Sequence, residues 1–424
     1  MYGGLTANAD VGAPGGLRTL RKMLGVYEPG CYLIAEVFTR VPCCGVMRSI
    51  QSQLDFSRNH PTGFDYLRLI LAISVIVWHS VLVCYGPAAE FYFWTGPPRP
   101  SIYFILPSFF ALSGFLVAGS LERNKIPEFL TLRIMRIFPA LAVEVTLSAL
   151  IIGPILTTVQ WREYFYSDIF LAYFLNMVGD IHYQLPGVFD TLPTPRFVNA
   201  QLWTIPYELA CYTAIVVLAL LGIAKRPIWL FVITFTGVLV ITFLPQLGLW
   251  DLPPYGPLGG LLVFSFLFGA SLYAMRRHVA LSLSLFLMSA LAYWVFVTNL
   301  NFIYLSTLPA GCITVFLGLQ DPPKTLFIRG ADYSYGIYLY GFPLQQTIVY
   351  LFPSFRIWYV NALSSVALAL VSAYLSWTLV ESRVLSKRKL IVSFVSSQVG
   401  RLSSAWERSE RIAAQVGRAF RDVD

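Results

Sequence analysis

Charge is scarce here: Asp, Glu, Lys and Arg make up only 12% of 424 residues, about half of what a soluble domain carries. Histidine is rarer, with four in all, and His60, His182 and His278 fall between apolar runs. The six cysteines, at 31, 43, 44, 84, 211 and 312, show neither metal-ligand spacing nor a disulfide framework. No metal site is therefore expected, and Cys211 and Cys312 read as small core residues. No internal repeat is evident, which weighs against a transporter made of duplicated halves. Residues 1–60 contain no run long enough to span a bilayer and lack the order of a secretory signal. What is abundant is apolar: 57% hydrophobic and 16% aromatic residues indicate an all-α polytopic membrane protein. The net charge of +8 gathers in short turns between apolar runs, as a topology signal does, so no nucleic-acid partner is expected.

Runs of about 20 apolar residues occur near 64–85, 101–120, 137–157, 206–224, 227–245, 256–275, 279–297, 300–319, 332–352 and 357–381. The shorter run 165–178 is decided by the loops. If it crossed, Lys225-Arg226, Arg276-Arg277, Lys324 with Arg329, and the Lys387-Arg388-Lys389 cluster would all lie outside, against the positive-inside bias. If it does not cross, these clusters and Arg123, Lys125, Arg133 and Arg136 fall inside, while Asp180, Asp190 and Asp251 fall outside. The expectation is a bundle of about ten spans with both termini cytoplasmic, and 158–205 as one long external segment. Residues 1–60 form a poorly ordered cytoplasmic lead-in, within which Met47 is a candidate translation start. Residues 61–385 form the membrane domain. Residues 386–424, with Lys387, Ile391, Phe394, Trp406 and Arg418, form a basic amphipathic tail on the inner leaflet or a solvated helix. Spans 227–245 and 279–297 carry almost no polar groups and read as lipid-facing scaffold.

The first span, FDYLRLILAISVIVWHS, carries Asp65, Arg68 and His79, and an ionisable side chain at membrane depth is a functional-site hypothesis by default. Arg68 and His79 share a helix face, roughly 16 Å apart along the axis. Arg68 could instead snorkel to the interface, and His79 could hydrogen-bond quietly to a neighbouring helix. The second span holds FFALSGFLVAGS, where Gly114, Ala118 and Gly119 permit close approach of another helix and Ser113 is either a ligand contact or internally bonded. Arg133 and Arg136 stand ahead of Phe138-Pro139, a planar charged pair suited to phosphate, with lipid headgroups as rival partners. Glu144 lies about two turns deeper, and Arg68 is its expected partner. NAQLWTIPYELACY contains Trp203 and Glu208. Glu208 is either a helix-dipole acid or, at the depth of His79, that residue's partner in an acid–imidazole dyad. ADYSYGIYLYGFPLQQ, with Tyr335, Tyr338, Gln345 and Gln346, is the most polar span and is expected to line a cavity.

Five of these stretches, FDYLRLILAISVIVWHS, FFALSGFL, LRIMRIFPAL, LWTIPYELACY and YSYGIYLYGFP, together resemble the acyltransferase-3 family of bacterial inner-membrane acyltransferases over residues 60 to 385. The resemblance implies transfer of an acyl group, often acetyl from acetyl-CoA, to a sugar hydroxyl of a surface or exported carbohydrate or glycolipid. Acyl-CoA enters as co-substrate, with no bound cofactor. His79 is then general base or transient acyl carrier with Glu208 assisting. Arg68, Ser113, Gly114, Arg133 and Arg136 hold the donor, and Glu144, Trp203, Tyr335, Tyr338 and Gln345 line the cavity. Two departures stand out. Gly341 occupies the place of a histidine common before Phe-Pro in the family, and Glu381-Ser-Arg383 replaces its Glu-x-Pro. Some 40 residues after the last span read as the stand-alone form. A transporter or flippase for a polysaccharide precursor is the rival reading.

Overall fold

The computed structural model describes residues 49–253, 256, 258–325, 331–398 and 400–401. Most of the expected lead-in, residues 1–48 with Met47, lies outside the described residues, as do 402–424 of the expected tail with Trp406 and Arg418. The described part of the lead-in contains a short helix, Ile50–Phe56, whose Ser49 cap accepts from the Ser52 amide. Its Ile50 and Leu54 are buried in a cluster with Leu281 and Leu319, which anchors it to the membrane domain.

Ten main helices follow among the described residues: α1 Gly63–Tyr85, α2 Arg99–Arg123, α3 Ile126–Leu147, α4 Ile205–Leu220, α5 Pro227–Phe243, α6 Gly259–Ala274, α7 Leu283–Thr298, α8 Thr307–Gly318, α9 Ser334–Leu351 and α10 Trp358–Ser376. Among the described residues there is one isolated bridge, Ser49 to Ala280, and no strand. Among the described residues, seven stretches are long and apolar enough to cross a membrane. They are α1, α2, α3 with its continuation to Leu156, α4 with the turn from Ala200, α5 to Leu247, α8 with the turn from Leu300, and α10 through Ser386. The other three predicted spans are also helices. α6 and α7 are apolar but only 16 residues long, and α9 has 18 residues interrupted by polar ones. Within 165–178, helix Asp168–Tyr173 runs into a 3₁₀ turn ending at Val178, about half the length a bilayer core requires.

The surfaces of α5 and α7 fit the scaffold expectation: Trp229, Leu287, Met288, Leu291 and Trp294 are all exposed. So large an apolar surface is costly in water and suited to lipid.

Side-chain and backbone bonds tie helix termini into two ends. At one end Arg276 holds Glu122 at 2.8 Å and Gln51 at 2.8 Å, and the Gly63 amide donates to Gln320 O. Arg123, Lys125, Lys225 and Arg276 all belong to this basic end. At the other, Arg356 donates to Cys84 O, Tyr293 to Pro100 O, and Thr194 to Leu82 O.

Two sequence features fix the helices around the site. Gly114 and Gly269 make the closest crossing, α2 against α6: a Cβ on Gly114 would collide with the Phe266 carbonyl, and one on Gly269 with that of Ala111. Gly119 in turn faces the Tyr273 ring. In α9, Pro343 has no amide hydrogen and frees the Leu339 carbonyl. Asn199 Nδ2 at 3.2 Å and Gln201 Nε2 at 3.0 Å donate to that oxygen. The long segment before α4 is thereby fastened to the proline turn of α9.

Candidate active site

The site is organised on Asp332, in the loop ahead of α9. Its Oδ2 accepts from Arg68 at 2.7 Å and Arg136 at 2.5 Å, while Oδ1 accepts from Ser334 Oγ at 2.5 Å and the Ser334 amide at 3.2 Å. Arg68 also reaches Asp65 at 2.5 Å. One carboxylate therefore joins α1, α3 and the start of α9. Burial alone would raise the Asp332 carboxyl, but the charges of Arg136 and Arg68 and the Ser334 bonds outweigh it and hold the group well below the usual carboxylate range.

Above this cluster is a cavity of about 150 Å³ whose polar wall is Arg68, Ser113, Arg133, Arg136, Glu208, Tyr335 and Tyr338, and whose apolar wall includes Phe109, Phe110, Val117 and Phe266. The two arginines of the i, i+3 pair differ in state. Arg136 is neutralised by Asp332 and lies over the Tyr335 ring. Arg133 forms no ion pair among the described residues: it reaches Ser120 Oγ at 3.5 Å, lies over Phe129, and leaves Nε without a partner. Glu208 accepts from Tyr212 at 2.6 Å. Tyr335 donates to Ile137 O at 3.2 Å and Tyr338 to Gln201 O at 2.9 Å.

His79 is not on this wall. Its imidazole is buried, 4.6 Å from the Trp78 ring centroid and edge-on to Phe342 at 5.3 Å. Among the described residues no hydrogen bond to it is formed. Phe342 is one turn beyond Tyr338 on α9, so the imidazole stands a turn past the cavity. The expected pairing of Glu208 with His79 is not seen. The stretch carrying Glu208 begins with the 3₁₀ turn Ala200–Thr204, so Glu208 is roughly 15 Å into it, level with the arginines. Glu144 does not meet Arg68 either. It is buried, accepts from Ser148 at 2.8 Å, and lies eight residues past Arg136 on α3, roughly 12 Å along the axis. Trp203 packs on Tyr207. Gln345 donates to Ile76 O at 2.7 Å and Ser80 Oγ at 2.6 Å, tying α9 to α1 away from the cavity.

Sequence reading missed Asp332. The available signal was an acid two residues before a serine at a helix start, a local cap pattern, on an end of the molecule otherwise rich in arginine. It also missed the burial of Glu381, in a π turn Trp377–Glu381 after α10, where Ser376 donates to it at 3.1 Å.

Comparison with known proteins places this geometry. The family described as Acyltransferase domain matches residues 62–381. The chain is similar to an O-acetyl transferase of Shigella phage Sf6, 28% identical over 356 residues, covering 76% of this chain and 96% of that protein. It is also similar to nodulation protein 10 of Rhizobium leguminosarum bv. viciae, 25% identical over 379 residues, covering 80% and 97%. No solved structure matches.

Proposed function

This chain belongs to the acyltransferase-3 family and is a membrane O-acyltransferase, and from that premise we propose that it moves acetyl from cytoplasmic acyl-CoA to a hydroxyl of a carbohydrate or glycolipid beyond the membrane. The observation that carries the reading is the small cavity at the basic end, where three arginines converge and Arg133 has no ion-pair partner among the described residues. The name of the phage relative supports acetyl as the acyl group. In this reading all ten helices cross a bacterial inner membrane and both termini are cytoplasmic. The gathering of the basic turns at one end supports that orientation.

The acyl end of the donor enters by way of the cavity, past Arg133 and Ser113. Tyr338 and Phe342 mark the route along α9 from the cavity to His79. There the acceptor hydroxyl oxygen attacks the thioester carbonyl carbon, His79 takes the hydroxyl proton, the carbon–sulfur bond breaks, and the thiolate of CoA leaves and takes that proton back from the imidazolium. Glu208 acts at the arginine end of the route, on the donor, rather than on the imidazole.

Purified protein in vesicles with acetyl-labelled CoA and a glycan acceptor is expected to transfer label to the glycan. A protein that moves glycan across the membrane without releasing acetyl would instead be a transporter. Sidedness gives a separate prediction. Inside-out vesicles consume added acyl-CoA and right-side-out vesicles do not. A cysteine placed at Asp190 reacts with an impermeant thiol reagent in spheroplasts and one at Arg277 does not. Reversed labelling would overturn the orientation and the direction of transfer.

A further inference from the structure

Beyond the small cavity the basic end opens into a second one of about 970 Å³. The two share four helices, shifted by one to three turns. On α2 the wall moves from Ser113 and Val117 to Ala118 and Glu122, and on α3 from Arg133 and Arg136 to Lys125 and Glu128. On α4 it moves from Glu208 and Tyr212 to Ile215 and Ala219, and on α6 from Phe266 to Ala270 and Tyr273. From Arg133 to Lys125 is eight residues, roughly 12 Å along α3. Arg133, reaching back to Ser120, stands where the two meet.

The chemistry of the wide cavity is lopsided. Four cations line it, Arg123, Lys125, Lys225 and Arg276, against two acids, Glu122 and Glu128. Both acids are already engaged: Glu122 accepts from Arg276 at 2.8 Å and from Tyr273 at 2.9 Å, and Glu128 accepts from the Lys125 amide at 3.3 Å and Ser396 at 3.4 Å. Arg276 is spent on Glu122 and Gln51. Arg123, Lys125 and Lys225 form no ion pair among the described residues, which leaves three cations around one opening. Such a wall suits an anion carrying several charges.

We propose that this cavity is a phosphate-binding subsite, and that its phosphates are those of the donor's nucleotide. The inference rests on the acyl-CoA reading above and divides that donor in two. The nucleotide phosphates are held by Arg123, Lys125 and Lys225, the extended arm passes Arg133, and the thioester reaches the inner cavity, much the smaller of the two. The arginine pair, which the sequence suggests as the phosphate site, then serves the acyl end through Arg133 and the architecture through Arg136. Phosphate of a lipid headgroup is the other source of the same chemistry.

The test compares wild type with Lys125→Gln/Lys225→Gln and with the charge-keeping Lys125→Arg/Lys225→Arg, each in neutral phosphatidylcholine nanodiscs and again in anionic phosphatidylglycerol discs. Binding of desulfo-CoA, which cannot react, is expected to weaken about tenfold in the Gln variant and to be kept in the Arg variant. The ratio of the KM for acetyl-pantetheine, which lacks the nucleotide, to that for acetyl-CoA falls by a similar factor. Unchanged desulfo-CoA binding would overturn the proposal. So would a difference between the variants that appears only in phosphatidylglycerol discs and is the same for both donors, since the cations would then serve lipid. If desulfo-CoA binding is lost in the Gln variant while wild type acetylates nothing, the phosphate subsite stands and the acyltransfer reading at this site fails.

Discussion

His79→Ala abolishes acyl transfer in a protein that still folds and inserts. The imidazole meets the Trp78 and Phe342 rings and, among the described residues, no hydrogen-bond partner, so its removal leaves no orphaned polar group. The structural cost is the loss of two ring contacts, about 1 kcal/mol each. The chemical cost is far larger, because a positioned base contributes about 10²–10⁴-fold and, among the described residues, the groups packed on this ring are the Trp78 and Phe342 rings. Transfer of labelled acetyl, measured with the thermal midpoint in the same detergent, separates the two. His79→Gln keeps much of the volume and is expected to restore the midpoint without restoring transfer. Substantial transfer by His79→Ala with its midpoint unchanged would remove His79 from the mechanism and leave the arginine cavity as the whole site.

Arg68, Arg133 and Arg136 were legible as costly charges near membrane depth and Tyr335 and Tyr338 as part of a polar helix. Only the family resemblance grouped Ser113 with the arginines. The structure puts all six on one cavity wall. The close crossing at Gly114 was legible too, although only the structure shows that α6 is the helix that approaches. The depth of Glu208 was misjudged because a 3₁₀ turn lengthens the crossing stretch ahead of Pro206, and 3₁₀ turns leave little trace in hydrophobic periodicity. Glu144 was paired with Arg68 on the assumption that the two lie at similar depth. The shared Asp332 oxygen instead puts Arg68 level with Arg136, leaving Glu144 a further two turns in. Asp332 escaped notice because its partners are supplied by tertiary structure: Arg136 is 196 residues away, and no local pattern records that two guanidinium groups will converge on one loop carboxylate.

Asp332→Asn should have the largest effect on stability. Its carboxylate is the acid shared by two part-buried guanidinium groups, 24% exposed each, and it also caps α9 through Ser334. Neutralising it leaves Arg68 with Asp65 but strips Arg136 of its ion-pair partner among the described residues, and an uncompensated buried charge costs on the order of 3 kcal/mol. A marked fall in thermal midpoint is expected, together with loss of transfer, because α1, α3 and α9 no longer meet at one point beneath the cavity. The pH dependence follows from the sign of the shift. A carboxyl held below its usual range contributes stability that is fully present above its unfolded value and is lost only as pH falls through the lower folded value. The wild-type and Asp332→Asn midpoints should therefore run parallel between about pH 5 and 8 and approach each other only in stronger acid. The double variant Arg136→Gln/Asp332→Asn removes the stranded cation and is expected to regain much of the midpoint without regaining transfer. A single variant as stable as wild type would show that the three helices are held together by their apolar packing and that the ion cluster is incidental. A double variant no better than the single would place the loss in the α9 cap instead of the charge on Arg136.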